Sequence, residues 1–425
     1  MALTSRERVL MALNHEETDR VPIDLGSSRS TGINAIAYSN LKKYLGIETD
    51  TVLFDVKQLL AEADYELLRR IGSDVVILPR LVPSVGISIE EYVDGELPEN
   101  GGPCLVSSHY RPKELENGGL GIYDREGHLI AVRPKGGIFY DEVYHPMEGV
   151  EDEAGIDRCL DLAGEDGGSQ YLKLPQISDF EMQYLRAKAK KIYEETDFAI
   201  SGATSFSLFE RGFKDWGYEN YLMLFYTEPE LAEYYLDRLT DAYVVMMERY
   251  LDAVGGYVQV VQNNDDFGSQ KAMLISPEVF RKYFKPRFAR INEAIRRKCP
   301  DMHISLHSDG SIYPILGDLI ECGFDILNPI QKDCENMDPA AVKKEFGDRM
   351  TIWGGACSTQ STMTYGTIDD IVNEAKEMIK IYAPGGGFVF SQIHNILADI
   401  APEKVVALFE TARKYGLKEF YRQTT

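Results

Sequence analysis

Two hydrophobic periods alternate along this chain. Short runs rich in β-branched and aromatic residues fall at 21–25, 74–78, 197–202, 257–262, 303–307, 325–329, 350–354 and 387–391, and they read as strands. Between them, apolar side chains recur every three or four residues, as in Leu231, Tyr234, Tyr235, Leu239, Tyr243, Met246 and Met247. That spacing makes one apolar helix face, here a core-packing stripe. Helix starts are marked by capping-box spacing at Thr4-Ser-Arg-Glu7 and Thr227-Glu-Pro-Glu230. Ser276-Pro277-Glu278 and Thr367-Ile-Asp-Asp370 give two further starts. Strand alternating with helix implies βαβ units, and eight strands close a (β/α)8 TIM barrel of the α/β class.

The rhythm breaks near residues 85–160, where Gly, Pro and Tyr are frequent and the apolar runs are short. This stretch reads as an antiparallel β-rich excursion inserted in a βα loop. Its tyrosines and His109, His128 and His145 are candidates to line a pocket. The chain has no internal repeat or long charged linker, so residues 1–425 are expected to form one elaborated domain.

Residues of one parity share a strand face, so His303, Ser305, His307 and Asp309 lie on one side, with Ile304 and Leu306 on the other. Working groups of a parallel barrel come from the C-terminal strand ends. Those ends carry Asp265-Asp266, His307 and Asp309, Asn328 to Gln331, Cys357 with Gln360, and Gln392 to Asn395. His307, Asp309 and His394 make a plausible metal set of mixed N and O donors, of the kind zinc accepts while keeping a fourth position open. Asp266 is placed as a further ligand, as the partner that orients a histidine, or as an acid at a helix N-terminus in the run Asp265-Asp266-Phe267-Gly268. His303 reads as a satisfied core histidine. The run Gly385-Gly386-Gly387 precedes its strand, at the wrong end to cradle a phosphate, and reads as a tight turn. No HExxH, GxSxG, Walker or GxGxxG pattern is present.

Composition narrows the partners. With 44% hydrophobic residues a large core is expected, and a formal charge of -23 disfavours nucleic acid and anionic membranes. No apolar run approaches the roughly 20 residues that span a bilayer, and the first residues read as a helix start rather than a secretion signal. The six cysteines form no CxxC pair, which points to reduced thiols and a cytoplasmic location.

Several segments together resemble the uroporphyrinogen decarboxylase-like superfamily. They are Arg6-Glu-Arg-Val-Leu10, Asp19-Arg-Val-Pro22, Asp265-Asp-Phe-Gly268, Ile275-Ser-Pro-Glu-Val-Phe280, His307-Ser-Asp-Gly310, Gly323-Phe-Asp-Ile-Leu-Asn-Pro-Ile-Gln331, Trp353-Gly-Gly and His394-Asn. The resemblance implies a (β/α)8 barrel. The decarboxylases carry an arginine-rich segment after the first strand, but this chain reads Asp24-Leu-Gly-Ser-Ser-Arg-Ser-Thr-Gly32, with the single Arg29. The other branch comprises corrinoid-dependent methyltransferases. Those that methylate coenzyme M hold zinc on a His-x-Cys pair and a later Cys, where this chain has His307, Asp309 and His394. The resemblance therefore implies a methyltransferase of the O-demethylase type, moving methyl from an aryl methyl ether to the Co(I) of a separate corrinoid protein. Zinc on His307, Asp309 and His394 would act as the Lewis acid. His307, Asp309 and Asp266 are the expected catalytic groups, and Asn328, Gln331 and Asp266 would bind the substrate. Transfer from methylcorrinoid to a thiol is the alternative reading, uroporphyrinogen decarboxylation a further one, and homodimerisation is left open.

Overall fold

The structure, a computed structural model, describes residues 3–161, 174 and 176–422. Its strands, in chain order, are β1 (Val52–Asp55), β2 (Leu60–Glu62), β3 (Val75–Leu78), β4 (Tyr92–Leu97), β5 (Gly102–Ser107), β6 (Lys113–Glu114), β7 (Leu120–Tyr123) and β8 (Leu129–Arg133). They continue with β9 (Asp141–Glu142), β10 (Ala199–Phe206), β11 (Val260–Asn264), β12 (His303–His307), β13 (Ile326–Asn328), β14 (Thr351–Trp353) and β15 (Phe388–Val389). Seven of them form one parallel sheet in the order β15-β14-β13-β12-β11-β10-β3. Helices cover its outside. The apolar stripe after Thr227 lies on the helix Pro229–Val254, and all its members are buried except the partly covered Tyr234.

The eighth stave, first in chain order and so the first stave, is the backbone of residues 21–25, which closes the ring between β15 and β3. Asp24 N donates to Phe390 O and Phe390 N to Pro22 O, both at 2.8 Å, while Asp74 N donates to Ile23 O at 2.7 Å. Pairing there shrinks to a single bridge, Ile23 with Phe390, because Pro22 has no N–H to give and Gly26 turns the chain at φ +81°. Asp74 completes the closure. Its fully buried carboxylate accepts from Ile23 N at 2.9 Å and pairs with Arg8 at 2.7 Å and Arg20 at 2.6 Å. The same aspartate thus joins the first stave, the third strand and the N-terminal helix Ser5–Leu13. That helix starts with the expected capping box between Thr4 and Glu7. Its Val9 and Leu13 pack on Val75, Ala199, Val260, Ile326, Trp353 and Val389, which plugs the lower end of the barrel.

Two expectations need correction. The excursion comprises two four-stranded sheets, β2-β1-β5-β4 and β6-β7-β8-β9, and the first recruits β1 and β2 from before β3, with β1 parallel to β5. The second is antiparallel throughout, as expected. Thr227 caps nothing. The preceding helix, Tyr218–Thr227, runs straight into it, so its hydroxyl donates back to Met223 O and the next helix starts from Glu228 without a side-chain cap. Ser276 and Thr367 do cap their helices. The six cysteines are free thiols. Among the described residues, no helix is long and apolar enough to cross a membrane.

Because Asp74 neutralises two guanidinium groups inside the fold, Asp74→Ala should lower stability by about 3–5 kcal/mol, the range for breaking a buried ion pair. Denaturant unfolding measures this, and a loss below about 1 kcal/mol, typical of an exposed pair, would contradict the closure role.

Candidate metal centre

His307 is the last residue of β12, and its environment fixes which ring nitrogen is free. Asn328, at the end of β13, donates from Nδ2 to Trp353 O at 2.7 Å. A carbonyl can only accept, so the amide is oriented with Oδ1 toward His307 Nδ1, also at 2.7 Å. Nδ1 therefore carries the hydrogen, and Nε2 offers its lone pair to the barrel mouth.

Asp309 is set beside it by contact between two loops. Gly310 has φ +91°, and a Cβ placed there would overlap the carbonyl carbon of Gly268. A Cβ on Gly268 would in turn lie 2.7 Å from Asp309 O. Only glycine at both positions lets the β11 and β12 loops meet backbone to backbone. Two side-chain hydrogen bonds stitch the contact, Asp309 N to Asp266 Oδ1 at 2.8 Å and Phe267 N to Ser308 Oγ at 3.1 Å, and Gln331 beyond β13 holds Gly310 N through Oε1 at 2.8 Å.

Asp309 Oδ2 lies 4.0 Å from His307 Nε2 and 3.7 Å from His394 Nε2. One donor atom from each of the three residues falls within 4.8 Å of the others. Tetrahedral ligands about 2.1 Å from zinc stand about 3.4 Å apart, so the donor set and its spacing fit the ion. The second oxygen, Asp309 Oδ1, is buried with no hydrogen-bond partner, as expected of a carboxylate built to meet a cation. His394 is steadied from behind, Nδ1 to Asn395 Oδ1 at 3.0 Å, and Asn395 Nδ2 donates to Gln58 at 3.3 Å.

Asp266 Oδ1 stands 3.7 Å from His307 Nε2. Burial, with Asp309 alongside, raises its carboxyl above the ordinary range, while His307 and the Asp309 N–H work the other way. Its neighbour Asp265 turns inward to cap the helix Phe209–Trp216, accepting from Ser207 Oγ and from the backbone N–H groups of Leu208, Phe209 and Glu210 at 2.5–2.8 Å. Burial pushes Asp265 up to about 7 against those bonds. Phe267 anchors the loop, its ring stacked 4.7 Å from Phe209 and edge-on to Phe280 and Phe284.

Above these groups opens a cavity of about 690 Å³. Its floor is the barrel interior at Val260, Ile326 and Trp353, and Phe206, Phe213, Tyr218 and Tyr243 give it an aromatic side. The excursion supplies Asp141, Glu142 and His145, so of its three histidines only His145 reaches the cavity. Charges alternate around the wall. Lys57 pairs with Glu142 at 2.5 Å and Arg211 with Asp215 at 2.7 Å, and burial with the nearby Arg211 pushes Lys214 down to about 8.

Several residues named from sequence sit elsewhere than expected. Gln331 spends its carbonyl on Gly310 N and does not line the cavity, so it fixes the loop rather than the substrate. Asn328 reaches the cavity, but its two polar atoms are committed to His307 and Trp353. Cys357 is fully buried with its thiol against Glu374, outside the donor cluster. His303, by contrast, is the satisfied core histidine expected, bonded to Asp325 at 3.0 Å. Sequence reading missed Glu210, which lines the cavity and accepts from Asn264 Nδ2 at 2.6 Å. Its only sequence signal is an acid in a helix's first turn, where acids are common.

Fold and site define a (β/α)8 barrel with histidine and carboxylate donors gathered at its C-terminal rim. The chain belongs to the uroporphyrinogen decarboxylase (URO-D) family, whose model matches residues 172–415. It is 25% identical to the uroporphyrinogen decarboxylase of Chlorobium phaeobacteroides over 58% of this chain and 69% of that protein. It is 29% identical to the methylcobamide:CoM methyltransferase MtaA of Methanosarcina barkeri, over 41% of this chain and 49% of that one. A methyltransferase from Methanosarcina mazei has a similar fold, with TM-score 0.59 at 20% identity, covering 97% of this chain and 99% of its own.

The glycine contact gives a direct test of the site. Gly310→Ala should weaken zinc binding about 10–100-fold, the usual cost of disturbing the groups behind a metal ligand. Titration against a competing chelator measures it, with circular dichroism to confirm folding. Unchanged affinity would contradict the role given to the loop contact.

Proposed function

We propose that this protein is a zinc-dependent methyltransferase that moves a methyl group from a small methylated substrate, an aryl methyl ether, to the Co(I) of a separate corrinoid protein. One observation carries the reading: His307 Nε2, Asp309 Oδ2 and His394 Nε2 converge at the foot of an open cavity, and Asp309 Oδ1 is left without a partner. A zinc ion held by those three residues supplies Lewis-acid stabilisation of the charge growing on a departing oxygen, a contribution of several kcal/mol. The protein's own groups do the rest. Asn328 keeps the His307 lone pair turned inward, Asp266 steadies Asp309 through its backbone N–H, and Asp266 Oδ1, 3.7 Å from His307 Nε2, is placed to orient the substrate. Phe206, Phe213, Tyr218 and Tyr243 offer an aromatic slot for the ring. The open mouth admits a partner's corrinoid face, and the charge of -23 leaves nucleic acid no attractive surface. A cytoplasmic location belongs to the same reading.

The likeness to MtaA favours a second reading, in which methyl passes from a methylcorrinoid to a thiol. The donor set argues against it. Thiol activation is served by soft, thiolate-rich sites, whereas two imidazoles and a carboxylate suit an oxygen substrate. Decarboxylation is disfavoured because Arg29, alone in its segment, is paired with the buried Asp55 at 2.6 Å.

Mixing the protein with a reduced corrinoid carrier and a panel of methoxyaromatics should convert the carrier to its methylated form, followed by absorbance. His307→Ala and Asp309→Asn should each slow this on the order of a hundredfold. Transfer involving thiols or methylamines, with none from any ether, would overturn the donor assignment.

A further inference from the structure

Methyl transfer away from an oxygen leaves negative charge that must end as O–H, and the cavity contains an acid outside the donor cluster. Glu210 stands in the first turn of the helix Phe209–Trp216 and lines the cavity together with Asp266, His307 and His394. Its backbone N–H is fixed by Asp265 Oδ1 at 2.8 Å, so the helix start cannot slide. Its Oε2 accepts from Asn264 Nδ2 at 2.6 Å. Asn264 ends β11, and its Cα is the cross-strand partner of His307. A carboxyl group is thereby held one strand away from the donor cluster, facing the same space.

We propose that the Glu210 carboxyl group is the proton donor to the oxygen from which the methyl group departs. The inference rests on the ether-to-corrinoid reading and deepens it. The C–O bond breaks with its electron pair kept by oxygen, while the methyl carbon is bonded by the electron pair of the partner's Co(I). The proton of Glu210 passes to that oxygen, giving a neutral phenol and a Glu210 carboxylate. Water entering by the cavity mouth reprotonates it before the next turnover.

The surroundings suit a group that holds its proton at rest. Burial, then the like charges of Asp266 and Asp265, raises Glu210 well above the ordinary carboxyl range. The hydrogen bond from Asn264 and the cation Lys57 act in the other direction, but Lys57 is already paired with Glu142. Among the described residues, no ion pair joins a cation to Glu210 within salt-bridge distance. Asp266 and Asp309, by contrast, are engaged with imidazole nitrogens at 3.7–4.0 Å.

Glu210→Gln keeps the size of the group and the acceptor for Asn264 but removes the acid. Methyl transfer should then be measured across ethers whose phenols differ in acidity. With a poor leaving group the variant should lose about a hundredfold or more, the usual worth of general acid catalysis, and with a nitrophenyl methyl ether, whose phenolate leaves unaided, only a few-fold. A second readout needs neither turnover nor zinc. At neutral pH the infrared difference between wild type and E210Q should contain the C=O stretch of a protonated carboxyl, and added phenol should shift it. Equal losses across the ether series, or absence of that band, would overturn the proposal. A wild type that demethylates none of the ethers would instead remove the functional reading, and the donor role with it, however Glu210 titrates.

Discussion

Two loops of the barrel rim meet at Gly268 and Gly310 with nothing between their backbones. That approach puts Asp309 N on Asp266 and leaves the Asp309 carboxylate suspended between His307 and His394. The three donor groups come from separate places in the chain, β12, the loop after it and the segment beyond β15, so no local motif could hold them in register. The closed ring of strands does. Its closure depends on Asp74, whose buried carboxylate fastens the first stave to β3 and to the N-terminal helix. A site at one end of the barrel is therefore underwritten by an ion-pair cluster at the other.

The same architecture explains why there is room for a substrate. The helix Ser5–Leu13 fills the lower end with Val9 and Leu13, and the interior is packed only up to Trp353 and Ile326. Above that level the inward positions are polar, including Ser201, Gln262 and Ser305, and the space remains a cavity. Two glutamines tie the loop after the first stave across this opening. Gln392 donates to Thr31 O, and Gln262 bonds to Ser27 O and Ser201 Oγ. With polar groups around the wall and aromatic rings on one side, the space suits a small ring bearing polar substituents.

Much of this was legible in the residue order. Strand alternation at 303–307 and the gathering of strand ends in a closed barrel were enough to bring His307, Asp309 and His394 to one place, and that is where the geometry has them. What escaped was the direction in which side chains point. Asn328 and Gln331 occupy the strand end expected of substrate ligands, yet hydrogen bonding turns them toward His307 and the Gly310 backbone. β1 and β2 were missed because their runs are short and broken by Asp55, Lys57 and Gln58, with pairing to distant β5 supplying what local pattern lacks. Thr227 has the spacing of a cap, but a neighbouring helix claims it first. Glu210 gave no more than the common signal of an acid in a helix's first turn, since its meaning comes from Asn264, 54 residues away in the chain.

In the function proposed for this barrel, two imidazoles and one carboxylate, without sulfur, hold a zinc ion at the mouth. X-ray absorption spectroscopy of the zinc-reconstituted protein tests it most directly. The expected result is one zinc per chain, with nitrogen and oxygen neighbours at about 2.0–2.2 Å and outer-shell scattering from two histidine rings. Sulfur near 2.3 Å, or no stoichiometric metal after reconstitution, would contradict it.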